Sequence, residues 1–95
     1  MIDFSDIKKE IACKAKQYDI KKVVLFGSRA RKTNLPKSDI DLAIYGCARF
    51  NDFYFACNEE VNTLLKFDIV NMDEPVSAEL KAEIERDGVV IYEKV

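Results

Sequence analysis

Gly27-Ser28 stands ten residues ahead of an alternating carboxylate pair, Asp39-Ile40-Asp41. These residue types suit phosphate and metal chemistry. A short apolar run, Lys22-Val23-Val24-Leu25-Phe26, ends at Gly27. A buried strand that stops in Gly-Ser and turns into a helix aims backbone N–H groups outward, where they attract anions. Gly27 lets the backbone approach a ligand closely, and Ser28 adds a hydroxyl donor. Two apart on a strand, Asp39 and Asp41 point to one face, about 6–7 Å apart at Cα. Carboxylates so placed repel unless a cation neutralises them. Oxygen-only ligands fit Mg²⁺ or Mn²⁺, with phosphate oxygens and water completing the shell. A phosphate cradle beside such a pair points to nucleotide chemistry, most simply nucleotidyl transfer.

Asp68 is the candidate third carboxylate. It lies inside an apolar run, Phe67-Asp68-Ile69-Val70, where an unpaired acid is costly unless it faces a cleft. If its strand neighbours that of Asp39 and Asp41, it completes a three-carboxylate site. It would then bind a second metal ion or act as general base on an attacking hydroxyl. Plainer readings exist: solvated acids on an exposed strand, or an Asp68–Lys66 ion pair. The Gly-Ser spacing favours function for Asp39 and Asp41. Arg29, Arg31, Lys32 and Lys37 form a basic stretch without acids; phosphate contact and a solvated loop remain open for it.

Composition narrows the alternatives. The chain has 95 residues, 48% hydrophobic and 34% charged, which suits one folded domain spanning 1–95. A core of this size leaves room for a partner or a homo-oligomer to add stability. The net charge of −2 does not suggest direct nucleic-acid binding. Histidine is absent, which removes Ser-His and Cys-His catalysis. Cys13, Cys47 and Cys57 are widely spaced and read as buried or half-buried thiols rather than zinc ligands. No signal peptide or membrane span is expected, so a cytoplasmic location is.

The positioning elements follow from periodicity. Ile7, Ile11, Ala15 and Tyr18 recur at helical spacing, with Ser5 or Asp3 as cap. Strands are expected at Lys22–Phe26, Ser38–Tyr45, Phe67–Asn71 and Val89–Tyr92, and a short helical turn at Ser28–Lys32. A helix over Phe50–Lys66, with Asn51 as cap, would use Phe50, Tyr54, Val61, Leu64 and Leu65 as apolar contacts. A last helix, capped by Ser77, runs to Asp87 and stops at Gly88. The fold class is α/β (α+β) with about four strands.

At these residues the sequence resembles the minimal nucleotidyltransferases of the DNA-polymerase-β-like superfamily. The resemblance rests on Gly27-Ser28, the ten residues to Ser38, Asp39-Ile40-Asp41 and Asp68, and spans essentially the whole chain. One departure is Lys32, where relatives often have Gly. The resemblance implies a mixed four-stranded sheet with helices mainly on one side. It implies ATP bound with Mg²⁺, two ions being usual. Asp39 and Asp41 would hold metal, Asp68 would join them or activate the acceptor, and Gly27 and Ser28, with Arg29 and Arg31, would bind the triphosphate. It further implies a HEPN-type helical partner, an RNase toxin for which such proteins are antitoxins that add AMP to a tyrosine. Neutralisation by stoichiometric binding is the alternative. A small-molecule acceptor is a third reading, disfavoured because so short a chain has little room for an acceptor pocket.

Overall fold

The computed structural model describes residues 4–61 and 63–94. Eight elements alternate along the chain: α1 (Phe4–Gln17), β1 (Lys22–Phe26), α2 (Gly27–Arg31), β2 (Ile40–Tyr45), α3 (Phe50–Glu60), β3 (Phe67–Asn71), α4 (Ala78–Asp87) and β4 (Val89–Glu93). The strands form one mixed sheet in the order β3-β2-β1-β4. β1 runs antiparallel to β2 and to β4, while β2 and β3 are parallel.

Strand alternation divides the side chains between two faces. Val23, Leu25, Ile40, Leu42, Ile44, Phe67 and Ile69 point to one face. There they meet Ile7, Ile11 and Ala15 of α1, and Phe53 and Cys57 of α3. Val24, Phe26 and Ala43 point to the other face, under Ile84 of α4. The two long helices therefore share one face, and α4 roofs part of the second. Ile7, Ile11 and Ala15 of the expected α1 stripe are buried, while Tyr18 is half-buried just past the helix end. Asp3 lies outside the described residues, and Ser5 is already inside the helix rather than capping it.

Several boundaries differ from expectation. β2 begins at Ile40, so Asp39 stands just before the strand. α3 stops at Glu60, short of Lys66, because Val61 turns extended (φ −73°, ψ 130°) and is buried there. Its buried residues are Phe53, Ala56 and Cys57, whereas Tyr54 is exposed and Leu64, beyond the helix, is fully exposed. Asn51 lies within α3; Arg49 holds the N-cap position, without a side-chain cap. Ser77 does cap α4, its Oγ accepting from the Leu80 N–H at 3.2 Å.

α4 stops at Gly88 as expected, and packing gives the reason for a glycine there. Its backbone is extended (φ −64°). A Cβ there would lie 2.3 Å from the Ile84 carbonyl oxygen and 2.6 Å from Val24 Cγ1. Close approach of α4 to β1 requires the glycine. Cys47 and Cys57 are buried, but Cys13 is exposed, contrary to the buried or half-buried reading.

Candidate active site at one end of the sheet

The strand register brings the chemistry-bearing residues together. Asp41 pairs with Phe26 across the antiparallel β1–β2 ladder. It pairs with Asp68 across the parallel β2–β3 ladder. Strands are about 4.8 Å apart, so Asp41 and Asp68 are lateral neighbours on one face. Asp39 precedes Asp41 by two and belongs to the same end. Phe26 leads directly into Gly27 and α2. The Gly-Ser turn and the three carboxylates thus border one another, on the face that also carries α4.

Gly27 touches the site more tightly than its sequence position suggests. Its φ is +74°, in the region that favours glycine. A Cβ on Gly27 would stand 2.1 Å from Asp41 Oδ2 and 2.9 Å from Asp41 Cγ. The missing side chain is the space into which the Asp41 carboxylate fits. The group that approaches the Gly27 backbone here is therefore a protein carboxylate.

Charge at this face is uncompensated. Asp41 is half-buried, while Asp39 and Asp68 are exposed. Burial, followed by the repulsion of Asp68, Asp39 and Glu83, pushes the Asp41 carboxyl up to about 6. Arg31 acts against this but does not cancel it. Among the described residues, neither Lys66 nor any other base forms an ion pair with Asp68. A hard divalent cation suits such a set of oxygen donors. The three aspartates share the face without closing into a cage: among the described residues, no group of three carboxylate, thiol or imidazole side chains could hold a metal ion alone. Asp39, Asp41 and Asp68 would hold Mg²⁺ only with phosphate oxygens and water filling the shell.

Ser28 is half-buried inside α2 and does not cap it; Phe26 holds the N-cap position, with no side-chain bond. The five-residue α2 has little macrodipole, so any pull on phosphate comes chiefly from its first-turn amides and the Ser28 hydroxyl. Both arginines face protein groups. Arg29 donates to the Ser38 carbonyl oxygen from Nε (3.2 Å) and Nη2 (2.9 Å), and to that of Pro36 from Nη2 (3.2 Å). This fork fixes the loop that delivers Asp39. Arg31 reaches α4, lying 3.5 Å from Asp87 and 3.6 Å from Glu83. Lys32, the departure noted above, is left-handed (φ 62°, ψ 33°), a conformation in which glycine is at ease.

Two features escaped the sequence reading. Glu83 adds negative charge to the site from α4, and no local motif announces it. Asp73 accepts from the Gly46 and Cys47 N–H groups at 2.9 and 3.0 Å, pinning the far end of β2. A cavity of about 880 Å³ at that far end is lined by Tyr18, Tyr45, Arg49 and Lys94, among others. It is remote from the carboxylates, which lie on an open face.

The family model "Polymerase beta, Nucleotidyltransferase" matches residues 8–95. Comparison with curated proteins gives no significant match. Among solved structures, a toxin–antitoxin crystal structure with AMP-PNP superposes with a TM-score of 0.72 at 18% identity, over 92% of this chain and 73% of that one. A mutant of the toxin–antitoxin MntA-HpeT gives 0.71 at 16% identity, again over 92% and 73%. At these identities the likeness is one of fold. The chain belongs to the polymerase beta nucleotidyltransferase family.

Proposed function

We propose that this polymerase beta family nucleotidyltransferase transfers AMP from ATP to a tyrosine hydroxyl of a HEPN-type toxin, and so serves as its antitoxin. The observation that carries the reading is the double register of Asp41, against Phe26-Gly27 on one side and Asp68 on the other. It gathers the Gly27-Ser28 turn and the carboxylates of Asp39, Asp41 and Asp68 at one end of a single sheet, which supports reading them as phosphate donors, metal ligands and base. The toxin–antitoxin character of two proteins with this fold, one bound to AMP-PNP, supports the choice of partner and nucleotide.

The residues divide the work. The Gly27–Ser28 turn holds the triphosphate. Asp39 and Asp41 bind Mg²⁺, which when present neutralises phosphate charge and orients the α-phosphorus. The acceptor oxygen forms a bond to that phosphorus, the bond to the bridging oxygen breaks, and pyrophosphate leaves. Asp68 takes the hydroxyl proton. Arg29 acts indirectly, by holding the loop before Asp39. One domain over residues 1–95 supplies the donor half, and the partner supplies the acceptor.

The test is incubation of the chain with α-labelled ATP, Mg²⁺ and the product of the adjacent gene. The product should become labelled, and Asp39→Asn or Asp41→Asn should abolish labelling. Robust labelling by the double variant sinks the assignment. Full neutralisation of the toxin by that unreactive variant would instead favour antitoxin action by stoichiometric binding.

A further inference from the structure

Among the described residues, β4 is an edge strand with β1 as its one neighbouring strand. Its register slips between Val23, paired with Tyr92, and Val24, paired with Val90, so that Ile91 is an extra residue. Val89 and Val90 are 48% and 50% exposed. Beside them, between β4 and the N-terminal half of α1, lie two depressions of about 310 and 290 Å³. They share Lys8 and Val89 and form one groove. Lys8, Lys9, Arg29 and Lys32 line it, and among the described residues no carboxylate does. A concentration of positive charge over exposed valines is notable in a chain of net charge −2.

From this juxtaposition we infer that the α1–β4 groove captures an extended, acidic segment of a partner protein, which adds to β4 as a further strand. Edge N–H and C=O groups are a template for strand addition. On such a strand the side chains facing α1 would be carboxylates, set against Lys8 and Lys9 beside Val89, and those on the opposite face would be apolar, set against Val90. A second copy of this chain fits poorly, because two-fold β4–β4 pairing brings like-charged walls together. Single-stranded RNA fits less well than an acidic peptide. The exposed floor is aliphatic, and the Phe4 ring that could stack a base is already covered by Lys8 and Arg29, at 5.7 and 4.9 Å from its centroid. The groove shares Arg29 with the loop before Asp39, but Lys8 and Lys9 lie outside that machinery, so peptide binding through them survives or fails independently of the proposed activity.

The test uses fluorescence anisotropy with the full chain and three labelled probes: a short peptide alternating Glu and Val, its Lys–Val counterpart, and a short single-stranded RNA. The Glu–Val peptide should bind on the order of tenfold tighter than either other probe and shift the backbone amide resonances of Val89–Glu93. The exposed pair Lys8→Glu and Lys9→Glu should weaken that binding on the order of tenfold, with circular dichroism unchanged. Absent binding of the acidic peptide, equal binding by the charge-reversed variant, or tighter binding of RNA overturns the inference.

Discussion

Gly27→Ala isolates the contact on which the site's geometry depends. Two costs are separable. The backbone at φ +74° penalises any Cβ, by about 1–2 kcal/mol. The new methyl would also lie 2.1 Å from Asp41 Oδ2, more than 1 Å inside ordinary contact by about that measure. Asp41 is half-buried, so its carboxylate can swing aside, at about 1 kcal/mol for a strained rotamer. The substitution should therefore destabilise the fold by about 2–3 kcal/mol. In an Asp41→Ala background the oxygen and Cγ are gone, and the contact left is with the Asp41 Cβ at 3.3 Å. There the cost should fall to the backbone share, giving a coupling energy of about 1 kcal/mol. Urea unfolding of the four proteins in the cycle measures this. If Asp41 holds metal as proposed, labelled-AMP transfer by Gly27→Ala should drop by about 100-fold, because a carboxylate displaced by about 1 Å would no longer meet the ion. Equal destabilisation in both backgrounds, or near-native transfer, would show that Gly27 is not the seat of Asp41.

Asp41→Asn should change the pH dependence of stability. A carboxyl whose folded pKa rises from 3.8 to about 6 binds its proton more tightly when folded. Stability therefore falls as pH rises from about 4 to 6 and stays reduced above that. The amide should remove this slope and stabilise the metal-free chain at pH 8 by about 1–2 kcal/mol, after discount for solvent screening; matching urea midpoints from pH 4 to 8 would contradict it. Lys32→Gly should raise stability by about 1 kcal/mol and Tm by a few degrees, since it relieves a left-handed non-glycine residue. A thiol-exchange reagent at neutral pH should modify Cys13 rapidly. Cys57 should react only on unfolding, its thiol buried and pushed up to about 12.

The site was largely legible because its parts are local. The run before Gly27, the Asp39–Asp41 alternation and the Ser77 cap each state their structure within a few residues. Asp68 was readable only as a conditional, since its value depends on which strand lies beside β2. β2 and β3 are parallel and joined through α3, and no residue near Asp68 announces that pairing. The α3 boundary misled for a related reason. Leu64 and Leu65 continue a helical rhythm, but burying Val61 in an extended conformation ends the helix first. Charge alone left Arg29 and Arg31 open between phosphate contact and a solvated loop, and only the family resemblance made them triphosphate ligands. Their hydrogen bonds to Ser38 and Pro36, and to α4, come from loop and helix positions that no spacing rule encodes.

The Arg29 fork has a consequence for motion. It ties α2 to the carbonyls of Pro36 and Ser38, and Thr33 N–H closes the same loop on the Ser28 carbonyl at 2.9 Å. Turn and loop are one cooperative unit, so amides across 28–38 should exchange with solvent hydrogen in a single opening event rather than residue by residue. The two jaws of the site cannot part separately. On the proposed function, nucleotide would then enter along the open carboxylate face, with the frame around it already assembled.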